Sequence, residues 1–208
     1  MILDLVIEEK NINNAVENKL GEPSFIMNLG YNNSKESFTM KLEKQFYERD
    51  ALIIAPELIG KLLVRKLDNG EIIKKRILEV EVYLGEEDTA SHARFGKTQR
   101  NKIMYEEGGI SYVYLCYGIH YLFNVVTGHK DSAQAILIRS VEEYSGPGRL
   151  TKAMQIDKNL NYESLINSDK IWIENDGYDA KYKIEKRVGI DYATPQYRNK
   201  KWRYILNN

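Results

Sequence analysis

The length, composition and charge of the chain exclude several classes of protein. It has 208 residues, of which 43% are hydrophobic and 29% are charged, and its formal net charge at pH 7 is zero. These values are typical of a globular protein rather than a disordered one, and no apolar run approaches the length that spans a bilayer. The single cysteine excludes an internal disulfide, and the three scattered histidines form no zinc motif. We therefore expect a cytoplasmic, non-secreted protein with no metal, no other cofactor and no membrane partner.

The first part of the chain predicts an N-terminal extension followed by one domain. Residues 1–39 are rich in Asn, Glu and Ser, and a strong apolar pattern begins at Met40, so the domain is predicted over 40–208. Asp50 can cap a helix that runs through "ALIIAPELIG". Two strands joined by a turn at 68–70 follow, and the second of them contains "RILEVEVYL".

Alternation along this second strand predicts one apolar face and one acidic face. The apolar face, which we expect in the core, carries Leu78, Val80, Val82 and Leu84. The opposite face carries Ile77, Glu79, Glu81 and Tyr83. A solvated strand face would explain the two acids, although acids are poor strand formers. The alternative is that a carboxylate held against an aromatic surface acts as a general base on a water molecule.

A long loop and a strand-ending arginine could complete such a site. Residues 85–102 lack apolar periodicity, and a loop of this length in a compact domain is usually functional or mobile. His92 lies in this loop, where a lone histidine is more often a surface residue. Arg139 ends the apolar strand "AILIR", where a guanidinium needs solvent or an acid. Together with Glu81, these two side chains could hold one water molecule between an acceptor and two donors.

The stretch "YVYLCYGIHYLFNV" predicts an aromatic hairpin with Tyr117 and Gly118 near its bend. Tyr112 and Tyr114 share one face of the first strand, and Tyr117 lies on the other. Tyrosine outnumbers phenylalanine by 15 to 5, and flat rings with a polar tip suit surfaces that stack on bases or sugars. A well-packed hairpin and an exposed aromatic wedge both remain open at this point.

The second half of the chain predicts further strands and one helix. A turn precedes the buried strand "QAILIRS", and "GPG" at 146–148 precedes a helix in "RLTKAMQI". The segments "KIWIEN" and "KYKIEKRVGI" are predicted as strands, and an irregular basic tail follows. Because strands outnumber helices and hairpins outnumber crossovers, we expect an α+β fold. It would be a single mixed domain on a curved, mainly antiparallel β-sheet, with peripheral helices and a protruding β-hairpin.

Basic residues cluster despite the zero net charge. Residues 1–39 carry six acids and three bases, which leaves 27 bases and 24 acids in the remainder, a net charge of +3. The clusters are Arg94, Lys97, Arg100 and Lys102 in the loop, Arg149 and Lys152 after "GPG", and "RNKKWR" near the C-terminus. They could be solvated faces, or they could form a surface that follows a phosphate backbone.

The sequence lacks the motifs of several common enzyme classes. No G-x-S-x-G elbow presents a nucleophile, and no glycine-rich fingerprint follows a strand to cradle a nucleotide. A sugar-modifying hydrolase needs a second carboxylate on the opposite side of the scissile bond. Glu79 lies on the same strand face as Glu81 and does not supply one.

Seven segments resemble the alkyladenine (3-methyladenine) DNA glycosylase family. They are "LIGKLLVRKLDNG", "EVEVYLGEEDTASHARFGKTQRN", "YVYLCYGIHYLFNV", "AILIRS", "GPGRLTKAMQI", "RVGIDYA" and "WRYI". The resemblance covers about residues 46–205 in order. It implies a metal-free enzyme that excises alkylated or deaminated purines from double-stranded DNA, as a monomer, and that is nucleoid-associated if prokaryotic.

The resemblance also implies roles for particular side chains. Glu81 matches the acid that deprotonates the attacking water, and His92 and Arg139 match groups that hold this water and the nearby sugar-phosphate. Tyr83, His92 and Tyr114 match the aromatic walls between which the extruded base stacks.

Further matched positions concern the base and the duplex. Asn124 matches a residue near the purine 2-position that disfavours normal guanine. Tyr117 matches the wedge that fills the gap left in the duplex, and the aliphatic Ile119 lies beside it. Neighbours of the pocket are Glu79, Tyr112 and Leu137. We expect contacts with the DNA backbone from Arg94, Arg100, Arg149 and Lys152.

Two hypotheses follow. The first is a monofunctional glycosylase that flips the damaged nucleotide and hydrolyses its N-glycosidic bond. No lysine lies in the matched pocket to form a Schiff base, so no lyase activity is expected. The second is a non-catalytic nucleic-acid-binding module of similar fold, and release of free base from methylated DNA distinguishes the two.

Overall fold

A computed structural model describes residues 39–207. The predicted N-terminal extension lies outside the described residues, apart from Thr39. The strands are β1 (Met40–Lys41), β2 (Leu62–Lys66), β3 (Ile72–Leu84), β4 (Ser111–Cys116), β5 (His120–Thr127), β6 (Gln134–Val141), β7 (Tyr144–Ser145), β8 (Ile171–Asn175), β9 (Tyr182–Glu185) and β10 (Arg203–Leu206). The helices are α1 (Lys44–Tyr47), α2 (Ala51–Leu58), α3 (Pro147–Ala153) and α4 (Pro195–Arg198). Short 3₁₀ turns span His92–Phe95, Lys102–Tyr105 and Lys158–Leu160.

The strands form one open sheet in which every described pair is antiparallel. The main order is β1-β8-β2-β3-β6-β5-β4, with β10 pairing with β3 and β9, and β7 with β6. The helices lie at the periphery, and Asp50 caps α2 as predicted by accepting a hydrogen bond from the Leu52 amide at 2.8 Å. The predicted α+β fold is therefore confirmed. In the part of the chain that the structure describes, no helix is long and apolar enough to cross a membrane.

The β4–β5 hairpin extends beyond the rest of the sheet. β4 pairs with β5 along its whole length, whereas β5 pairs with β6 only through Asn124–Thr127. The first half of β5 therefore has β4 as its only described strand neighbour. This arrangement is the predicted protruding hairpin.

One detail of the predicted face of β3 is wrong. Ile77 is fully buried in the core together with Val80 and Val82, whereas Leu78 is only half-buried. The register against β6 shifts between Ile77 and Glu79, which marks a β-bulge around Leu78. Because a bulge inserts one extra residue, it exchanges the two faces of the strand at that point. Alternation holds from Glu79 onward but not across the bulge.

The C-terminal segment also departs from the prediction. The strand predicted in "KYKIEKRVGI" ends at Glu185, and Arg187 turns inward to a buried ion pair. The tail, which we expected to be irregular, contains α4 and β10. β10 pairs with the middle of β3, with Arg203 opposite Glu81. The acidic part of β3 therefore has a strand on each side.

Apolar side chains are buried on both sides of the sheet. The larger cluster packs α2 and α3 against the central strands and includes Ile54, Val80, Ile138 and Leu150. A smaller cluster packs the segment after β3 against β4, β5 and β6, and Tyr112 belongs to it. Burial on both faces fixes the register of the central strands, because a slip by one residue would expose a whole row of side chains.

Candidate active site

A cleft of about 570 Å³ is lined by side chains from β3, β4, β5 and β6, from the loop after β3, and from residues 188–192. It brings together ten of the predicted site residues: Tyr83, His92, Arg94, Arg100, Tyr112, Tyr114, Tyr117, Asn124, Leu137 and Arg139. Glu81 is fully buried beside the cleft. Four other predicted residues do not line it: Glu79, Ile119, Arg149 and Lys152.

One row of cross-strand partners runs through the floor of this cleft. Tyr112 pairs with Asn124, Asn124 with Leu137, and Leu137 with Glu81. On the far side of β3, Glu81 pairs with Arg203. Since directly opposed residues in antiparallel strands project from the same face, five strands place these side chains side by side.

Three donors hold the Glu81 carboxylate. The Val188 amide donates to Oε1 at 2.7 Å, and the Tyr83 hydroxyl donates to Oε2 at 2.8 Å. The Arg139 guanidinium reaches Oε2 at 3.3 Å, a longer contact than the other two. Because Tyr83 and Arg139 both line the cleft, they lie between the carboxylate and the open space.

Burial raises the pKa of the Glu81 carboxyl above its ordinary value, since a charge in a low-dielectric site is destabilised. The neighbouring Glu79 raises this pKa further. The Arg139 guanidinium, the Val188 amide and the Tyr83 hydroxyl act in the opposite direction. A carboxylate with a raised pKa is a stronger base than an exposed one, provided that the pH is high enough to ionise it.

Arg139 lies between two carboxylates. Its Nε reaches Glu79 Oε1 at 3.3 Å, and its Nη1 reaches Glu81. Glu79 also accepts a hydrogen bond from Arg203 at 2.9 Å, so it is held by two arginines. Glu79 therefore anchors Arg139 beside Glu81 and is itself neutralised by the arginines.

His92 is held in a defined orientation and is neutral at physiological pH. Its Nδ1 lies 2.9 Å from the Tyr112 hydroxyl, and Ser91 caps its 3₁₀ turn by accepting from the Ala93 amide at 3.0 Å. Burial, together with the Arg100 and Arg94 cations, lowers the pKa of His92 to about 4. A neutral imidazole can donate one hydrogen bond and accept another, but it adds no positive charge to the cleft.

Aromatic rings form the walls of the cleft. The His92 and Tyr114 rings meet at 4.5 Å between centroids, and the Tyr112 and Tyr114 rings lie 5.3 Å apart. Tyr83 lies on a different strand, and the Arg187 guanidinium stacks over its ring at 4.8 Å. Tyr112 itself is buried and supports the wall from behind. The cleft therefore offers flat apolar surfaces to a planar ligand.

Asn124 presents its side-chain oxygen to the cleft. Its amide nitrogen donates to the Tyr112 carbonyl at 2.9 Å and, more weakly, to the Leu122 carbonyl at 3.5 Å. The side chain is buried and lines the cleft next to Leu137. The acceptor oxygen is thus the part of Asn124 that remains for a ligand.

The tip of the hairpin exposes its apolar side chains. Tyr117 is 92% exposed and Ile119 is 72% exposed. Tyr117 adopts a φ of 50° and Gly118 a φ of 72°, and the Ile119 amide closes the turn on the Cys116 carbonyl at 3.0 Å. A left-handed conformation is strained for a tyrosine. The interpretation of this segment as a well-packed hairpin is therefore wrong at the tip, where these side chains are exposed.

The predicted basic residues occupy two places. Arg94 and Arg100 line the cleft, and the Arg94 guanidinium lies between the rings of Phe95 at 4.6 Å and Tyr192 at 5.2 Å. Arg149 and Lys152 are exposed on α3. This helix begins close to the tip end of the hairpin, because a Cβ on Gly148 would lie 2.7 Å from the ring of His120, the first residue of β5.

Several residues of the site were missed from the sequence. Val188 contacts Glu81 through its backbone amide, so its side chain carries no signal of that role. Arg187 lies within a segment predicted as a strand, Tyr192 follows that segment, and Arg203 lies in the tail predicted as irregular. Phe95, which is 83% exposed, had no alternation around it to mark it. Among residues 39–207, no group of three or more metal-ligating His, Cys, Asp or Glu side chains is found.

Comparison with known proteins identifies the family. The model of the methylpurine-DNA glycosylase family matches residues 45–145 and 142–208. A protein of Natranaerobius thermophilus, named "Putative 3-methyladenine DNA glycosylase", is 42% identical over 193 residues, which cover 81% of this chain and 96% of the relative. Proteins with the same name in Borreliella burgdorferi (41% identity, 80% and 96% covered) and Desulfitobacterium hafniense (38% identity, 81% and 96% covered) are also similar. The chain therefore belongs to the methylpurine-DNA glycosylase family.

Proposed function

We propose that this protein repairs DNA as a monofunctional glycosylase, which hydrolyses the N-glycosidic bond of 3-methyladenine and related damaged purines. The observation that carries the proposal is the buried Glu81 carboxylate, held by three donors beside a cleft with aromatic walls. Family membership supports the same conclusion. The substrate is double-stranded DNA, and the target nucleotide must leave the stack to reach the cleft.

The damaged base stacks between the ring of Tyr83 on one side and those of His92 and Tyr114 on the other. Asn124, on the floor, meets one edge of the base. Because its side chain is held by the Tyr112 carbonyl and cannot move aside, it disfavours the 2-amino group of normal guanine by steric contact. Base–aromatic stacking contributes on the order of 1–3 kcal/mol per base, which offsets a cost of a few kcal/mol for extrusion. Lesions that pair poorly cost less to extrude and are selected at this step.

Glu81 acts as the general base on a water molecule. The water oxygen attacks the sugar C1′, the bond from C1′ to the base nitrogen breaks, and the base leaves with the bonding electrons. Glu81 accepts the proton of the water, and its charge stabilises the oxocarbenium character of the sugar. The Arg139 contacts at 3.3 Å are the loosest ones on this carboxylate. Arg139 therefore moves toward the incoming sugar-phosphate and opens Oε2 to the water.

The charge of the leaving group itself favours cleavage of the glycosidic bond. A purine alkylated on a ring nitrogen is cationic and departs as a neutral base. His92 has a pKa of about 4 and is neutral at physiological pH, so it positions water and sugar without delivering a proton. Neutral lesions such as hypoxanthine lack this assistance and are excised more slowly.

The exposed tip of the hairpin serves the duplex. Tyr117, set out by the turn at Gly118, fills the gap that the extruded nucleotide leaves, and Ile119 packs beside it. Arg94 and Arg100 at the cleft, and Arg149 and Lys152 on α3, contact backbone phosphates. In the described part of the chain no lysine lines the cleft, so we expect no Schiff base and no strand cleavage.

The test is a comparison of two buried carboxylates. Glu81→Gln should bind DNA containing 3-methyladenine or ethenoadenine as the wild type does, but release free base about 10²–10⁴-fold more slowly, because the general base is lost. Glu174→Gln is the matched control. Glu174 is also buried and accepts hydrogen bonds from Lys74 and Trp172, both at 2.7 Å, away from the cleft.

The outcomes separate the hypotheses. Glu174→Gln should lose some stability while keeping its excision rate. Full activity of Glu81→Gln would eliminate Glu81 as the base. Wild-type protein that binds damaged DNA but releases no free base would instead be a non-catalytic nucleic-acid-binding module.

A further inference from the structure

A buried ion pair connects the two segments that flank the candidate catalytic strand. Arg187 Nη1 and Nη2 lie 2.5 and 2.9 Å from the two carboxylate oxygens of Asp88. Both side chains are completely inaccessible to solvent. Neither residue lines the cleft, and the proposed mechanism does not use them.

Asp88 organises the loop that follows β3. Its Oδ2 accepts from the Leu84 amide at 3.2 Å, and its Oδ1 accepts from the Ala90 amide at 3.0 Å. The carboxylate therefore closes the chain reversal at the end of β3. Two residues beyond Ala90 the loop reaches His92, which lines the cleft.

Arg187 contacts both of the strongest donors to Glu81. Its Nη1 donates to the Val82 carbonyl at 2.8 Å, which holds the arginine against β3. Its guanidinium stacks over the ring of Tyr83, whose hydroxyl donates to Glu81 Oε2. The residue after it, Val188, donates its amide to Glu81 Oε1. The guanidinium also lies over the Trp202 ring, 5.0 Å from its centroid.

We propose that the Arg187–Asp88 ion pair positions the candidate catalytic carboxylate, by holding the Val188 amide and the Tyr83 hydroxyl against Glu81 while it ties down the loop that carries His92. The pair acts through these groups and does not touch the substrate. The inference rests on the proposed role of Glu81 as the base.

Stability alone is a weak explanation for this pair. Two charges are desolvated completely, and Arg187 Nε is buried without a hydrogen-bond partner among the described residues. Replacing a buried ion pair by apolar residues of similar volume is often neutral or stabilising. What apolar residues cannot reproduce is the planar fork that fixes Val82, Asp88 and Tyr83 in one geometry.

The pair influences Glu81 by position and hydrogen bonding. The charged groups that face Glu81 are Glu79 on β3, Arg139 on β6 and, across the β10 pairing, Arg203. The ionisable Tyr83 hydroxyl also faces it. Arg187 is not among the groups with the largest direct effects on the pKa of Glu81. A change in the titration of Glu81 on substitution of Arg187 would therefore report movement of the Val188 and Tyr83 donors.

The experiment measures this titration without requiring turnover. Arg187→Met should raise the pKa of Glu81, followed through the side-chain carboxyl carbon by NMR, because the Val188 and Tyr83 donors that lower it lose their support. The acid limb of the excision rate should move to higher pH in parallel. Misplacement of the base should lower excision about 10- to 100-fold at pH 6 and less at pH 8. Binding of damaged DNA should stay within about threefold, since the pair is buried and does not reach the substrate.

Arg76→Met is the matched control. Arg76 also forms a bidentate pair, with Asp176 at 2.7 and 3.3 Å, and stacks over the Tyr178 ring at 4.3 Å, far from the cleft lining. The Arg76→Met variant should unfold at a lower urea concentration than the wild type. Its Glu81 titration and the pH dependence of its excision rate should be unchanged. If Arg76→Met shifts the profile as much as Arg187→Met does, the effect is general loss of stability and the proposal is wrong.

Two conservative variants cover the possibility that Arg187→Met does not fold. Arg187→Lys keeps the charge and loses the planar fork, and Asp88→Asn keeps the shape and loses the charge. Each should raise the pKa of Glu81 in the same direction. An unchanged Glu81 titration in folded Arg187→Lys and Asp88→Asn overturns the proposal. A wild type that releases no base refutes the proposed function instead, while the NMR titration still decides whether the pair positions Glu81.

Discussion

Replacement of Tyr117 by asparagine should change stability and DNA binding in opposite directions. Tyr117 adopts a φ of 50° and is 92% exposed. Its left-handed backbone conformation therefore destabilises the folded state, and burial of its ring does not offset this cost. The left-handed conformation costs about 1–2 kcal/mol for an ordinary L-residue, and asparagine adopts it more readily. We therefore expect Tyr117→Asn to raise the free energy of unfolding by about 0.5–1 kcal/mol, which corresponds to roughly 2 °C in Tm for a chain of this size.

The same substitution removes the proposed wedge. Base–aromatic stacking contributes about 1–3 kcal/mol by alanine substitution, so the Kd for damaged duplex DNA should rise about 5- to 150-fold. Urea unfolding gives the first quantity, and fluorescence anisotropy with a lesion-containing duplex at fixed salt gives the second. Binding of the same lesion in single-stranded DNA should change less, because no gap in a duplex has to be filled.

Tyr162→Asn separates the two effects. Tyr162 also has a positive φ, 71°, and is 52% exposed, but it lies next to the 3₁₀ turn Lys158–Leu160, outside the cleft lining. It should gain stability in the same way and leave DNA binding unchanged. If Tyr117→Asn unfolds the domain, or if it binds damaged duplex as tightly as the wild type, the wedge interpretation is refuted.

Two further predictions concern pH. Arg139→Gln removes the cation that most strongly opposes the effect of burial on Glu81, so the pKa of Glu81 rises further; because the ionised form is the active one, excision should fall most at low pH and recover partly as the pH increases. A variant whose loss is the same at every pH would show that Arg139 acts on the substrate alone. His92, whose pKa is lowered to about 4 in the folded state, should make the protein less stable as the pH falls below about 6.5, since the unfolded chain then binds a proton that the folded chain does not. Urea unfolding at pH 7.5 and pH 5 should show a smaller loss for His92→Asn than for the wild type, and equal losses would contradict this origin.

Local patterns in the sequence predicted the hairpin and the composition of the cleft well. The turn at Gly118, the alternation of Tyr112 and Tyr114, and the acidic face of "RILEVEVYL" each follow from short-range rules. The structure places Tyr112 and Tyr114 in the lining of one cleft, with Glu81 buried beside it. The roles of these residues remain predictions. That these side chains lie close together in space was predicted from the resemblance to a family, because no pattern within one segment indicates it.

The missed features are long-range ones. β10 has no regular alternation, and its strand conformation is stabilised by pairing with β3 and β9. β3 lies far from it in sequence, and the connection from β9 contains the helix α4. Val188 contributes a backbone amide, which any residue could supply. The partner of Arg187 is 99 residues away, so a single sequence carries no sign that a charge there is buried.

The bulge around Leu78 shows why the acidic face of β3 could be assigned only in part. Ile77 and Val80 both enter the core although they are three residues apart, which regular alternation forbids. The strand must therefore change face once between them, and the bulge is the place where it does so. This change lets one long strand fill the core with Ile77 at one end and still place Glu81 beside the cleft and Tyr83 in its lining at the other. A second register shift, between Glu79 and Val80, offsets the first, so the pairing from Val80 onward keeps the register that Ile77 has with Val141. In this register Glu81 lies between Leu137 and Arg203. The candidate base is held in the middle of a strand paired on both sides, whereas the proposed wedge lies on a hairpin tip that pairs with no other strand among residues 39–207. That division suits a glycosylase, because the carboxylate must be placed accurately relative to one sugar while the tip must adapt to a distorted duplex.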